Sequence, residues 1–241
     1  MMRRALGMLL ALVGAAAVAV SVSAYDGVDV KDGGSIVGNV KFSGSPPPRE
    51  KLAATKDVEV CGKGELLSES LVVGAGGGLQ NAVVYITNIS KGKALQPSTS
   101  NGHLDQNGCK YVPHVALVPT KTNLDILNSD GILHNIHTYS TKNKALNLAQ
   151  PKFKKQMTQQ FDQPEFIKVG CDAHGWMQGW VVVQDNPYYA VTDESGAFKL
   201  TDVPPGDYEL KVWHETLGEK TQKVSVKAKG ETSAAFELSK K

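Results

Sequence analysis

Beyond its first two dozen residues, the chain carries apolar side chains in short runs with a period of two, bounded by glycine, proline, asparagine and aspartate. That spacing places alternate side chains on opposite faces of an extended segment and predicts half-buried strands. Residues 34–42 form the first, closed by Ser43-Gly44-Ser45 and three prolines. Residues 81–86 form a second after a glycine-rich stretch, and 111–118 and 122–128 a third and a fourth. Further strands are expected at 133–137, 179–183, 188–192, 197–200, 208–213, 220–226 and 233–238. In 208–213, Tyr208, Leu210 and Val212 share one face. Residues 43–70 and 88–108 lack the alternation and read as long loops. No long stretch after the start repeats at the helical period, so the expected class is all-β.

The start is different. Arg3 and Arg4 precede an apolar run from Ala5 to Val20, and Val22-Ser23-Ala24 supplies small residues at a cleavage site, the pattern of a secretory leader over residues 1–24. The alternative is a retained anchor, because the run approaches the shortest membrane-spanning length. Cleavage leaves no stable membrane span and predicts a periplasmic or secreted protein. Arg3 and Arg4 are two of 26 basic residues and no acid precedes Asp26, so the remainder carries 24 charges of each sign. Near neutrality excludes global electrostatic attraction to nucleic acid or to a membrane surface. Removing 24 of the 241 residues leaves 217, enough for one large or two small domains.

Three cysteines in an exported chain leave one over after any single disulfide. Cys61 and Cys109 lie in loop-like sequence, whereas Cys171 is followed by His174 and Met177. The favoured pairing is Cys61 with Cys109, leaving Cys171 as a metal-bound thiolate; sequence leaves the other pairings open. The thiol, imidazole and thioether within residues 171–177 are soft and borderline ligands that suit copper moving between Cu(I) and Cu(II). Zinc also binds cysteine and histidine, but a thioether is a poor zinc ligand. A blue-copper site needs a second equatorial histidine that this loop lacks. Along an extended segment at 133–137, His134 and Ile136 face one side and Asn135 and His137 the other, so only one of the two histidines faces a given site. A chance meeting of a buried cysteine, a surface histidine and a core methionine is the bland alternative.

Residues 110–184 resemble the cupredoxins, specifically the amicyanin and plastocyanin branch. In that family a Pro-His-Asn-Val segment supplies the first histidine, and a C-x2-H loop ending in methionine supplies the other ligands. Leu133-His134-Asn135-Ile136-His137 and the C-x2-H-x2-M spacing of Cys171, His174 and Met177 carry the likeness. It implies a Greek-key β-sandwich, one type 1 copper per chain, and the ligand set His134, Cys171, His174 and Met177. It also implies that Asn135 hydrogen-bonds to the ligand loop. Trp176, with Trp180, is expected to form an apolar shell around the copper. The sequence departs from the family at Leu133, where proline is usual, and at Gly175 and Trp176, where amicyanin has Pro-Phe. Glycine loosens the backbone there. His137 and His114 are expected to be hydrogen-bonded structural residues, and His103 a solvated one.

The C-terminal part resembles the carboxypeptidase regulatory-like, transthyretin-like sandwich, through Thr192-Asp193-Glu194-Ser195-Gly196-Ala197-Phe198 and Pro204-Pro205-Gly206-Asp207-Tyr208-Glu209-Leu210. This implies fold and says little about activity. The chain has no H-E-x-x-H spacing. Five strands are too few for a sandwich of about seven, so the N-terminal strands are expected to complete it, with the cupredoxin inserted. The expected division is a leader at 1–24, first strands of the regulatory-like sandwich at 25–90, a copper domain at 91–185, and the rest of the sandwich at 186–241. Alternatively, 82–87 is the first cupredoxin strand.

The function implied is single-electron transfer between exported redox proteins, such as a cytochrome or a dehydrogenase. No open substrate position, general base or second metal is legible, so no enzyme is expected. Copper storage or delivery is one alternative; a surface or carbohydrate-binding module with an incidental metal site is another. Residues 131–161 contain lysines and no acids, and Lys142, Lys144 and Lys155 are candidate docking residues for an acidic partner. Phe153, Met157 and Phe161 are expected to pack.

Overall fold

The computed structural model describes residues 25–95 and 102–240; the predicted leader lies outside the described residues. The described chain is all-β, built as two sandwiches. Among these residues no helix is long and apolar enough to cross a membrane.

One sandwich, here the terminal sandwich, takes strands from both ends of the chain. Its four-stranded sheet runs in the order Tyr189–Val191, Val83–Ile86, Gly206–His214, Gly218–Val226. Its three-stranded sheet runs Ala197–Val203, Gly34–Phe42, Glu231–Leu238. The strand Gly34–Phe42 is central, antiparallel to Ala197–Val203 and parallel to Glu231–Leu238. Period-two patterning puts Ile36, Val40, Leu210, Val212 and Phe236 in the core between the sheets. A Cβ on Gly38 would lie 1.8 Å from the Ala234 carbonyl oxygen, so glycine is what lets the two parallel strands close here.

The central sandwich has a four-stranded sheet, Gln156–Gln159, Leu124–Asn128, Gly102–Gln106, Tyr111–Val112. Its second sheet has five strands, Asn147–Gln150, His134–Thr138, Glu165–Gly170, Gln178–Gln184, Val115–Pro119. Leu104, Tyr111, Ile126, Ile136, Ile167 and Val181 fill the space between them. The strand expected at 111–118 is divided: the chain changes sheet at the Val112–Pro113 peptide, which is cis.

Several expectations are corrected. Gly102–Gln106, expected to be loop, is a strand whose alternation is masked by a buried glutamine. Gln106 Nε2 donates to Leu127 O at 3.0 Å and to Gln150 Oε1 at 2.6 Å, so a polar residue occupies an inward position. The stretch 43–70 holds a small strand pair, Lys51–Leu52 with Leu66–Leu67, and a single helical turn, Val58–Cys61. Ala54, Val60 and Cys61 pack against the central core, so this part of 25–90 attaches to the central sandwich and not to the terminal one. In the other direction, Lys91–Gly92 pairs with Asp26–Gly27, and Lys93 N donates to Tyr188 Oη at 2.8 Å, which keeps residues just beyond 90 on the terminal sandwich. Phe153 packs in neither core and is 82% exposed.

The two sandwiches meet through Val83, Val115 and Val182, flanked by Phe166, Trp180 and Trp213. Trp213 stands edge-on to Trp180 at 4.8 Å between ring centroids and lies 4.7 Å from Phe166. Such pairs contribute about 0.5–1.5 kcal/mol each beyond area burial. Trp180 therefore belongs to this junction, which corrects the expectation that it joins Trp176 in a shell. It lies outside because alternation turns it away from the face that carries Val181 and Val183 into the central core.

Candidate metal centre

The strands Glu165–Gly170 and Gln178–Gln184 are antiparallel, with Gly170 opposite Gln178, so residues 171–177 form the connection at one end of the five-stranded sheet. The loop closes on itself: His174 N donates to Cys171 O at 3.2 Å, Met177 N to His174 O at 2.9 Å, and Cys171 N to Met177 O at 3.3 Å. His134 begins the neighbouring strand. Tyr111 Oη donates to Asn135 O at 2.7 Å and Gly170 O at 2.8 Å, which fixes that strand against the one leading to Cys171. Asn135 Oδ1 accepts from Asp172 N at 2.6 Å and Ala173 N at 3.2 Å, and Asn135 N donates to Cys171 Sγ at 3.4 Å.

These constraints bring three donor atoms together in the interior. His134 Nδ1 and His174 Nδ1 are 3.0 Å apart, and Cys171 Sγ lies 3.9 Å from the first and 3.7 Å from the second. All three residues are buried. Each imidazole turns its other nitrogen to a carboxylate: His134 Nε2 lies 2.9 Å from Asp130 Oδ2 and His174 Nε2 lies 2.8 Å from Asp57 Oδ2. A carboxylate accepts hydrogen bonds, so each Nε2 carries a hydrogen, and a ring that gives up its second proton to bind a cation does so at Nδ1. Two lone pairs and a thiolate facing one another fit a soft or borderline cation. Met177 is buried at the end of the loop and, with Cys171, lines a cavity that also touches Tyr139 and Lys168.

The electrostatics of the three residues favour a charge pair between Cys171 and His134. Burial pushes the Cys171 thiol up, but His134 and the Asn135 N–H outweigh it and hold the group below its ordinary value. Burial opposes protonation of His134, yet Asp130 and Cys171 together push it up to about 9. His174 is lowered by burial, opposed by Asp57 and reinforced by the charge of His134. Asp130 lies below the usual carboxylate range: burial raises it, while His134 and the N–H groups of Cys109 and Gly108 lower it further.

Cys61 and Cys109 are bonded at 2.04 Å, and Cys171 is the free cysteine. Trp176 is half-buried, its ring 5.1 Å from that of His174 and its Nε1 donating to Cys109 O at 3.2 Å. The rival histidines stay out of the cluster. His137 Nδ1 pairs with Asp172 Oδ1 at 2.9 Å and its ring stacks on Tyr139, while His114 pairs with Glu215 across the junction.

The three candidate docking lysines do not form one patch. Lys142 Nζ donates to Pro164 O at 3.3 Å, at the start of the strand Glu165–Gly170, whereas Cys171 follows its other end. Six residues at about 3.3 Å each separate these ends by roughly 20 Å. Lys144 is exposed two residues after Lys142, and Lys155 lies beside Gly131, next to Asp130. Sequence reasoning missed Asp57 and Asp130. Asp57 is 117 residues from His174 and carries no local signal; Asp130 lies four residues before His134, a spacing that says nothing in extended chain.

Residues 180–239 match the family description "Carboxypeptidase regulatory-like domain", although the first few lie in the last strand before the chain leaves the central sandwich. No curated protein matches the chain. Among solved structures, the chain is similar to an oxidised proline-to-glycine variant of amicyanin, at 23% identity over 42% of this chain and 98% of that one, with a TM-score of 0.32. It is also similar to a purple cupredoxin from Nitrosopumilus maritimus, at 20% identity over 35% of this chain and 100% of that one, TM-score 0.30. A Cu-containing nitrite reductase from Thermus scotoductus SA-01 aligns at 19% identity over 42% of this chain and 25% of that one, TM-score 0.32.

Proposed function

We propose that this chain is an exported mononuclear copper protein that carries single electrons between redox proteins, such as a cytochrome and a dehydrogenase. His134, Cys171 and His174 would hold the ion, with Met177, buried at the end of the same loop, as a further soft donor. The observation that carries the reading is the arrangement of the imidazoles: both give Nε2–H to a carboxylate and keep Nδ1 toward the thiolate. Copper bound there supplies a reversible one-electron change, and thiolate with neutral imidazole suits both of its oxidation states.

The protein's own contribution is to keep the donors in place as charge changes. Tyr111 and Asn135 fix the ligand strand and loop through hydrogen bonds to the backbone. Burial keeps bulk water from the donors. A site so enclosed opposes rapid exchange of metal, which favours a carrier of electrons over a copper-delivery protein. The disulfide and the sequence of the leader support an exported location.

The test is the absorption spectrum after addition of Cu(II). An intense visible thiolate-to-copper band is expected, and Cys171→Ser is expected to abolish it while the far-ultraviolet β signature is kept. Absence of the band in the parent protein, or its survival in the variant, would reject the assignment.

A further inference from the structure

The two carboxylates behind the imidazoles are each anchored beside one end of the same disulfide. Asp57 opens the helical turn that ends at Cys61, and its backbone adopts the left-handed conformation, φ 49 and ψ 45, which aspartate accommodates better than most residues. Val60 N and Cys61 N both donate to Asp57 O at 2.9 Å, so the turn fixes Asp57 relative to Cys61. On the other side, Asp130 accepts from Gly108 N at 2.7 Å and Cys109 N at 2.9 Å. Cys61 and Cys109 form the disulfide. A shift of either cysteine therefore disturbs the support of both histidines.

We propose that Asp57 and Asp130, held in one frame by the Cys61–Cys109 disulfide, are positioning residues that fix the ring tautomers of His174 and His134 and bias the site toward oxidised copper. The inference deepens the copper reading above and rests on it. A carboxylate that accepts Nε2–H fixes ring orientation and makes the ligating nitrogen a stronger donor. Its negative charge also stabilises the more positive oxidation state more than the less positive one. A backbone carbonyl would supply the first effect without the second. Asp57 covers the Nε2 edge of His174 as well, which leaves that ring without solvent exposure.

Asp57→Ala and Asp57→Asn separate the two effects, because asparagine keeps an acceptor oxygen of the same shape and loses the charge. In Asp57→Ala, Cu(II) affinity is expected to fall by about 10- to 100-fold, with a smaller change for Cu(I). Each tenfold difference between the two raises the one-electron potential by about 59 mV. Asp57→Asn is expected to raise the potential while keeping Nε2–H, and Cys61→Ser with Cys109→Ser is expected to shift the potential in the same direction. Nitrogen spectra of the metal-free protein read the tautomer of His174 without copper: Nε2–H in the parent and in Asp57→Asn, a mixture in Asp57→Ala. An unchanged Cu(II) to Cu(I) affinity ratio in Asp57→Ala would overturn the proposal, even with a lowered melting temperature, since a merely structural residue would give that result. If the parent gives no thiolate band, the copper reading falls, and the nitrogen spectra still decide whether Asp57 positions His174.

Discussion

The two sandwiches fill their interiors with different chemistry. In the terminal sandwich the core is mainly aliphatic and aromatic, from Ile36 and Val40 to Val212 and Phe236, with His214 buried at a strand end and Thr192 using its hydroxyl to bridge Leu79 O and Ala82 N. The central sandwich buries Gln106, Asn128, Gln150 and Glu165 as well as its cluster histidines. Gln106 donates to Gln150, which donates to Ile126 O at 3.0 Å, while Asn128 donates to Gln150 O at 3.0 Å and Ile132 O at 2.8 Å. Losing one partner in such a network costs about 1–3 kcal/mol, so the backbone around the cluster is tied to a single arrangement. Aliphatic packing tolerates repacking with volume conserved. The polar ties are concentrated in the sandwich that holds His134, Cys171 and His174 together.

Removing the disulfide tests that difference most strongly. Closing a loop with a sequence separation of 48 is worth about 4 kcal/mol in the chain-entropy model. Cys61→Ser with Cys109→Ser is expected to lower the calorimetric transition of the central sandwich and leave the terminal one in place. An equal shift of both would mean that the sandwiches unfold as one unit. Next in size is Gly38→Ala. Its Cβ would meet backbone of the partner strand at 1.8 Å, and about 3 kcal/mol is expected from overpacking against an atom that cannot swing aside. Here the terminal transition should fall and the copper spectrum should not change, which reverses the pattern of the disulfide variant.

Glu165→Gln is the smaller and pH-dependent case. Burial raises the Glu165 carboxyl, but Ser140, the N–H groups of Thr141 and Lys142, and Asn143 pull it down to about 2. A lowered acid contributes stability that is present above its unfolded value near 4.5 and is lost as pH falls through that value toward 2. The variant is therefore expected to be about 2 kcal/mol less stable at neutral pH, with the gap to the parent closing below pH 4.5 in urea titrations. A gap that stays constant into acid would assign the loss to shape and not to charge.

The sequence made the terminal sandwich easier to read for the same physical reason. In Gly34–Phe42 and Glu231–Leu238 inward positions are apolar, so period-two alternation marks the strands directly. Gly102–Gln106 carries an inward glutamine and was hidden. The residues of the cluster loop are close in sequence and were visible from spacing, whereas Asp57 acts across 117 residues and only the fold brings it to His174. Trp180 was misplaced because it follows the ligand loop in sequence but turns to the junction. The lysines of 131–161 are close along the chain yet fall at both ends of a strand, and composition carries no record of that length.

The parallel pairing of Gly34–Phe42 with Glu231–Leu238 has a mechanical consequence. Ser35 lies opposite Glu231 and Phe42 opposite Leu238, so the chain enters the first strand at one end of the pair and leaves the second at the opposite end. Tension on the segments outside residues 34–238 pulls these neighbours lengthwise past each other. Their interstrand hydrogen bonds are loaded together in shear instead of being peeled apart one by one. The central sandwich joins the terminal one between Val83–Ile86 and Tyr189–Val191, which pair with each other, and so lies off the line along which the force passes. A molecule tethered at one side and pulled at the other would bear the load in the terminal sandwich while the donor atoms of His134, Cys171 and His174 kept their spacing.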